Sequence, residues 1–242
     1  MKTFAVFLCS LSATLSFSQE KLLAPLAYTE IPTGAIKPEG WLRHQLQIMR
    51  KGSTGHLDEV HAKIATNNGW LGGSGDGWEE TPYWLDGAVP LAFLLEDAGL
   101  KAKVLKYVDW TLSHQRPSGY FGPITKEERE RGVSITPETC GAGEDWWPKM
   151  IMLKVLQQYY EATGDERVIT FMTKYFHYQL KAIENCPIGK WTEWATSRGA
   201  DNVMMAQWLY ARTKDPLLIE LAGLIESQSF PWSEWLGNRN WV

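Results

Sequence analysis

Carboxylates and tryptophans recur together in three stretches of this chain: Trp70 to Thr81 (WLGGSGDGWEET), Gly143 to Trp147 (GEDWW) and Trp191 to Asp201 (WTEWATSRGAD). The pairing suits sugar chemistry. A flat indole matches the C–H face of a pyranose or furanose, and carboxylates accept hydrogen bonds from hydroxyls or assist proton transfer. The candidates for proton transfer are Glu79, Glu80 and Asp145. The candidates for holding a substrate are Asp76, Trp78, Glu144, Trp146, Trp147, Glu193, Trp194, Arg198 and Asp201, with Trp191 as a further ring.

Each type also has a plainer use. Acids just before a helix are stabilised by its exposed N–H groups and dipole, which lowers their pKa and favours ligand binding over general-acid work. Large aromatics can plug the top of a helical core while the indole N–H reaches a loop acceptor. Trp84, Trp110 and Trp208 fall within helical stretches and are expected in the core.

Other chemistries lack their residues. Cys140 stands alone among acids, and zinc needs three or four ligands. His44, His56, His61, His114 and His177 form no cluster, so no metal or other cofactor is expected in this chain. No Ser-His-Asp set or phosphate-binding loop is present. Gly72 to Gly77 is glycine-rich but follows no strand, which suggests a loop close to a ligand or another backbone.

The elements that must position these loops are helices. Apolar residues recur at helical spacing in Val104, Leu105, Val108 and Leu112, and in Ile151, Val155, Leu156 and Tyr159. We expect helices at 38–50, 57–66, 82–97, 101–115, 148–163, 165–183, 200–213 and 215–228. Thr81 caps ahead of Pro82, Asp215 caps ahead of Pro216, Pro148 suits a first turn, and Gly99 and Gly164 stop their helices. The turns Glu96 to Gly99, Glu161 to Asp165 and Ala211 to Asp215 repeat one another. Matching Gly164 to Gly99 gives an offset of 65, and matching Asp215 to Asp165 gives 50. Periods of this size indicate arrays of helical hairpins.

A short turn joins the two helices of a hairpin at one end, so the long loop entering the first helix lies at the other. The three Trp/acid loops therefore share one rim of an all-α fold, part of an (α/α)6 toroid with first helices inside and second helices outside. The chain supplies about four hairpins, counting 38–66, so the six-hairpin ring is expected to be incomplete at the C-terminus.

Residues 1–19 read as a signal peptide, with Lys2, an apolar run from Phe4 to Phe17 and small residues near Ser18. The mature domain is then 20–242, exported to the periplasm or beyond, with Cys9 lost on cleavage. Cys140 and Cys186 remain and could pair in an oxidising compartment. The rest of the chain holds no segment apolar enough to span a membrane. With 24 basic against 28 acidic residues and no basic stripe, nucleic acid is not an expected partner. At 44% hydrophobic and 21% charged, 242 residues bury a substantial core, which excludes a disordered chain.

The runs Gly75-Asp-Gly-Trp-Glu-Glu-Thr-Pro-Tyr-Trp-Leu-Asp-Gly-Ala88, Gln115-Arg-Pro-Ser-Gly-Tyr-Phe-Gly-Pro123, Asp145-Trp-Trp-Pro148 and Tyr160-Glu-Ala-Thr-Gly-Asp165 resemble the β-L-arabinofuranosidase family, glycoside hydrolase family 127 and its relatives, over most of residues 34–236. The resemblance implies an (α/α)6 catalytic domain acting on arabinose-containing plant-type glycans, usually followed by β-sandwich domains. It implies a retaining mechanism in which a zinc-held cysteine thiolate attacks the anomeric carbon and a glutamic acid protonates the leaving oxygen. Those groups belong to a Glu-Leu-Cys segment beyond the hairpins seen here. Better-known members carry His-Glu where this chain has Glu144-Asp145-Trp146-Trp147, and Gly-His where it has Arg198-Gly-Ala-Asp201-Asn202. A non-catalytic glycan-binding remnant stays open beside the glycosidase. So does another toroid enzyme, such as an unsaturated uronide hydrolase or polysaccharide lyase, for which Arg198 would hold the uronate.

Overall fold

The computed structural model describes residues 23–24, 27–139 and 145–237. The predicted signal segment 1–19, Cys140 and Glu144 lie outside the described residues. All regular structure among the described residues is helical.

Three hairpins carry the fold. The first pairs α4 (Glu80–Leu94) with α5 (Ala98–Ser113), the second α7 (Trp147–Thr163) with α8 (Arg167–Ala182), and the third α10 (Gly199–Thr213) with α11 (Leu217–Gln228). Ahead of them α1 (Gly40–Lys51) packs on α2 (Ser53–Val60), and α2 and the short α3 (Ala62–Ala65) pack on α4. The first helices form an inner row in which α7 lies between α4 and α10, and the second helices form an outer row in which α8 touches both α5 and α11.

Side-chain patterns explain the two rows. From Trp147 to Leu153 every residue of α7 is buried, as a helix enclosed by neighbours on all sides requires. In α8 the buried set is Val168, Phe171, Met172, Tyr175, Phe176, Gln179 and Ala182, together with Tyr178, which is one apolar stripe of a helix with a wet outer face. The inner helices run parallel. Near their starts the Trp147 indole donates to Glu79, and further along Lys154 and Gln158 donate to Asp86 at 3.1 and 2.8 Å. Between α7 and α10, Arg198 lies over Trp147 at the start, and the Trp208 indole donates to Glu161 at 2.9 Å near the end.

The expected helix stops and caps need correction at two places. Gly99 lies inside α5, and the left-handed residue that ends the first hairpin's inner helix is Glu96 (φ 55). Its equivalents are Gly164 (φ 69) and Lys214 (φ 58). Each is followed by an aspartate whose Oδ1 accepts from the next helix: Asp97 from Leu100 N, Asp165 from Arg167 N and Asp215 from Leu217 N, at 2.7, 3.0 and 3.1 Å. The repeat is therefore a left-handed residue followed by aspartate, and from Asp97 to Asp165 its offset is 165 − 97 = 68, not 65. Glycine alone misplaced the register, because Glu96 takes the strained conformation without one.

Thr81 is not a cap. Helix α4 starts at Glu80, and Thr81 is fully buried, its hydroxyl accepting from Asn68 Nδ2 at 2.7 Å. The single helix expected at 57–66 is broken at His61, whose backbone is extended. Three short helices carried no clear sequence signal: α6 (Lys126–Arg131), α9 (Glu193–Ser197) and α12 (Trp232–Gly237). Trp84 and Trp208 are in the core as expected, whereas Trp110 is half-buried and stacks on His114 with ring centres 4.3 Å apart. No helix among the described residues is long and apolar enough to cross a membrane.

Candidate functional site

The three Trp/acid loops meet at the N-terminal ends of α4, α7 and α10, and one carboxylate joins them. Asp145 Oδ2 accepts from the Trp78 indole of the first loop at 3.0 Å and from the Thr192 hydroxyl of the third at 2.7 Å. Its Oδ1 accepts from the Trp147 backbone N–H at 3.1 Å, capping the second inner helix. The shared rim expected from the hairpin argument is present in these bonds. Thr192 was not singled out from sequence, since one hydroxyl among tryptophans and acids carries no signal of its partner 47 residues away.

The first loop is held by its own backbone. Gly69 N–H donates to the Asp76 carbonyl at 2.8 Å, and a Cβ on Gly69 would sit 2.8 Å from the Gly77 Cα. Within the run Gly72 to Gly77, a Cβ on Gly75 would sit 2.5 Å from the Asn67 carbonyl oxygen, so glycine is required there by another stretch of backbone, one of the two readings open for this run. The Trp70 indole, fully buried, donates to the Trp78 carbonyl at 2.9 Å.

The tryptophans divide. Trp146 and Trp147 are 4% and 2% exposed, and their indoles donate to the Cys186 carbonyl at 3.2 Å and to Glu79 at 2.5 Å. The expectation that they offer open faces to a sugar is thereby corrected. They close the top of the core, because the apolar space at the mouth of three converging helices needs large side chains to fill it. Trp194 is 54% exposed and Trp78 and Trp191 are half-buried, so the faces available for stacking lie in the first and third loops.

The acids divide as well. Asp145 is fully engaged in joining loops, and Glu79 accepts from the Trp147 indole. Glu80 accepts from Lys63, and its second oxygen is buried with no donor on it unless Asp76 carries a proton. Burial, and then the hydrogen bond to Glu80, push the Asp76 carboxyl above its ordinary value. Burial acts on Glu80 in the same direction, but the hydrogen bonds from Lys63 and Asp76 outweigh it and hold that carboxylate low. Of these two adjacent carboxyls, Asp76 is therefore the one that takes up a proton more readily. Asp76 Oδ2 also accepts from the Trp78 backbone N–H at 3.3 Å.

Inside the rim the side chains of the inner row form a polar wall. Tyr83, 46% exposed, meets the Trp147 ring edge-on at 5.9 Å, and the Arg198 guanidinium lies 5.5 Å from the centre of that ring. Asp201 on the first turn of α10 is raised by burial, against the pull of Arg198 and Lys154. Burial likewise raises the Tyr83 hydroxyl. An open cavity of about 390 Å³ continues beside α4 and includes Glu79, Glu80, Tyr83 and His61. Glu193 is exposed on the outer lip of the third loop. Tyr83 was missed from sequence, where it reads as one more helical aromatic after Pro82.

Among the described residues no three His, Cys, Asp or Glu side chains are grouped so as to hold a metal ion. The zinc–thiolate centre that the resemblance implies finds no ligand set in them, and no chemical step is assigned through it. Cys186 is disulfide-bonded, and Cys140, with which the sequence left a pairing open, lies outside the described residues.

Comparison with protein-family models matches residues 10–232 to the beta-L-arabinofuranosidase, GH127 catalytic domain. Neither the curated proteins nor the solved structures gave a match.

Proposed function

The chain belongs to the β-L-arabinofuranosidase family, glycoside hydrolase family 127, and from that premise we propose that it acts on arabinose-containing plant-type glycans after export, with the three-loop rim as its sugar-binding end. The observation that carries this reading is the convergence of the loops on Asp145, which sets exposed aromatic faces and the polar wall of Tyr83, Arg198 and Asp201 around one opening. Pockets that orient small polar ligands combine aromatic walls with a few convergent polar groups, and this rim has both.

Within the rim the acids bind and orient. Asp145 and Glu79 already accept hydrogen bonds from indoles, so their oxygens are engaged in holding the loops together. Asp201 differs. It is half-buried, and burial raises its carboxyl as it does that of Asp76, so it would donate a hydrogen bond to a sugar oxygen more readily than an acid at its ordinary value. The same commitment of Glu79, Glu80 and Asp145 favours, as the second reading, a glycan-binding role without catalysis.

Titration with arabinan and pectic oligosaccharides, followed by tryptophan fluorescence, tests the proposal. Saturable binding is expected, weakened by Tyr83→Ala and Trp194→Ala without a change in melting temperature. Hydrolysis of the same oligosaccharides, assayed in parallel, separates the two readings. Absence of binding to every neutral and acidic glycan offered would overturn both.

A further inference from the structure

Arg50, Arg116, Arg167 and Arg212 each grip a carboxylate of the chain. Arg198 grips none among the described residues, although its charge acts on Tyr83 together with those of Glu79, Asp86 and Asp201. The acids near it have other partners. Asp86 accepts from Lys154 and Gln158 at 3.1 and 2.8 Å, and Glu79 accepts from the Trp147 indole. Asp201, three residues on, makes no ion pair with Arg198, and burial raises its carboxyl against the pull of that guanidinium.

A ring holds Arg198 in place. The guanidinium lies 5.5 Å from the centre of the Trp147 ring, which is 2% exposed and meets Tyr83 edge-on at 5.9 Å. A guanidinium resting over an aromatic ring keeps its in-plane N–H fork for another acceptor. Two further donors belong to the same wall: the Tyr83 hydroxyl, which burial raises so that it keeps its proton, and the Asp201 carboxyl in its protonated form. An ionised carboxylate has acceptor sites only and a charge opposite to the guanidinium, and the planar fork meets it with two parallel bonds. It is the glycan group that suits such a set of donors. The place is not an open edge of the row: Tyr83, Trp147 and Arg198 stand on α4, on α7 and just before α10, and α7 has an inner neighbour on each side.

We propose, on the reading that the rim binds sugar, that Arg198 holds the carboxylate of an acidic sugar residue, so that the opening takes uronate-bearing plant glycans in preference to neutral ones. The fork supplies the grip and Trp147 fixes its orientation, while Tyr83 adds a neutral donor beside it.

Tryptophan-fluorescence titration of the full chain tests this with a matched pair: an arabinose-bearing pectic oligosaccharide, and the same oligosaccharide after its carboxyl groups are reduced to primary alcohols. The acidic form should bind roughly tenfold or more tighter than the reduced form, as a hydrogen-bonded charge pair requires. The gap should narrow at high salt. Arg198→Gln should bring the acidic form down to the affinity of the reduced form and leave the reduced form unchanged. Arg198→Lys should keep part of the preference, because it retains the charge without the fork. Arg43→Gln removes the same charge from α1 and should keep the preference whole. Equal affinity of the unaltered chain for the two forms, a measurement that needs no variant, would overturn the proposal while leaving the sugar-binding rim standing. So would an Arg198→Gln variant that keeps the preference or weakens both forms alike. Binding of no glycan at all would overturn the rim itself, and the role of Arg198 with it.

Discussion

Asp145 gathers bonds from a tryptophan 67 residues before it and a threonine 47 residues after it, and this sets what single substitutions should do. Removing either donor leaves the other in place, so Trp78→Phe and Thr192→Val should be non-additive. A double-mutant cycle on thermal stability should return a coupling of about 0.5–3 kcal/mol, the range for residues sharing one network. Zero coupling would mean that the loops do not meet through Asp145. The two groups of tryptophan are distinguished in the same way. Trp147→Ala should cost about 3–5 kcal/mol, as for other buried large side chains, whereas Trp194→Ala should change stability by less than about 0.5 kcal/mol. Denaturant midpoints measure both.

The Asp76–Glu80 pair gives a pH dependence with a definite sign. Asp76 is raised in the folded chain, so its stabilisation is complete below the ordinary aspartate value of 3.8 and is lost as pH rises through the folded value. Asp76→Asn keeps an acceptor for the Trp78 N–H and offers Glu80 a permanent donor. The variant should therefore melt higher than the parent at pH 7, with the advantage disappearing toward pH 3.5. A constant difference across that range would rule out a raised Asp76 carboxyl.

At the scale of elements, the repeated unit is a left-handed residue followed by a capping aspartate. Gly164→Ala introduces a Cβ that meets nothing within 4 Å, so its cost of about 1 kcal/mol is purely that of the left-handed backbone. Lys214 holds the same conformation without being glycine, and Lys214→Gly should be neutral or stabilising, by up to about 1 kcal/mol. If both substitutions destabilise equally, the backbone account is wrong. The capping aspartates add an acid limb. Asp97 and Asp165 are held below 3.8 first by hydrogen bonds from Arg50 and Arg167, so their stabilisation is full above 3.8 and is lost as pH falls through the folded values. Asp97→Ala and Asp165→Ala should each flatten the loss of melting temperature between pH 5 and pH 3.

At the scale of the whole molecule, an inner row of parallel helices places three loops on one side and the tight turns on the other, and the row presents different surfaces at its two ends. Tyr83, Arg198 and Asp201 come from the first and third inner helices and face one opening only because α7 separates their helices by one helix width.

Much of this was legible in the chain. Helical periodicity is a local property, and so are Pro148 in a first turn, Gly164 at a left-handed stop and Asp215 as a cap; these gave the helices, the hairpins and, through hairpin geometry, the common rim. The family could be read from the runs around Asp76, Asp145 and Asp165. The sequence could not say which partner each polar group finds. Thr81 looked like a cap and is a buried acceptor for Asn68; Gly99 looked like a stop and is inside a helix; Trp146 and Trp147 looked like Trp78 and Trp194 and are core. In each case the deciding contact comes from residues distant in sequence or from the solvent left after packing, and burial is a property of the assembled rows. Residue type set which bonds each side chain could make, and only the tertiary arrangement decided which were made, because a hydrogen bond forms where its partner and the absence of water coincide.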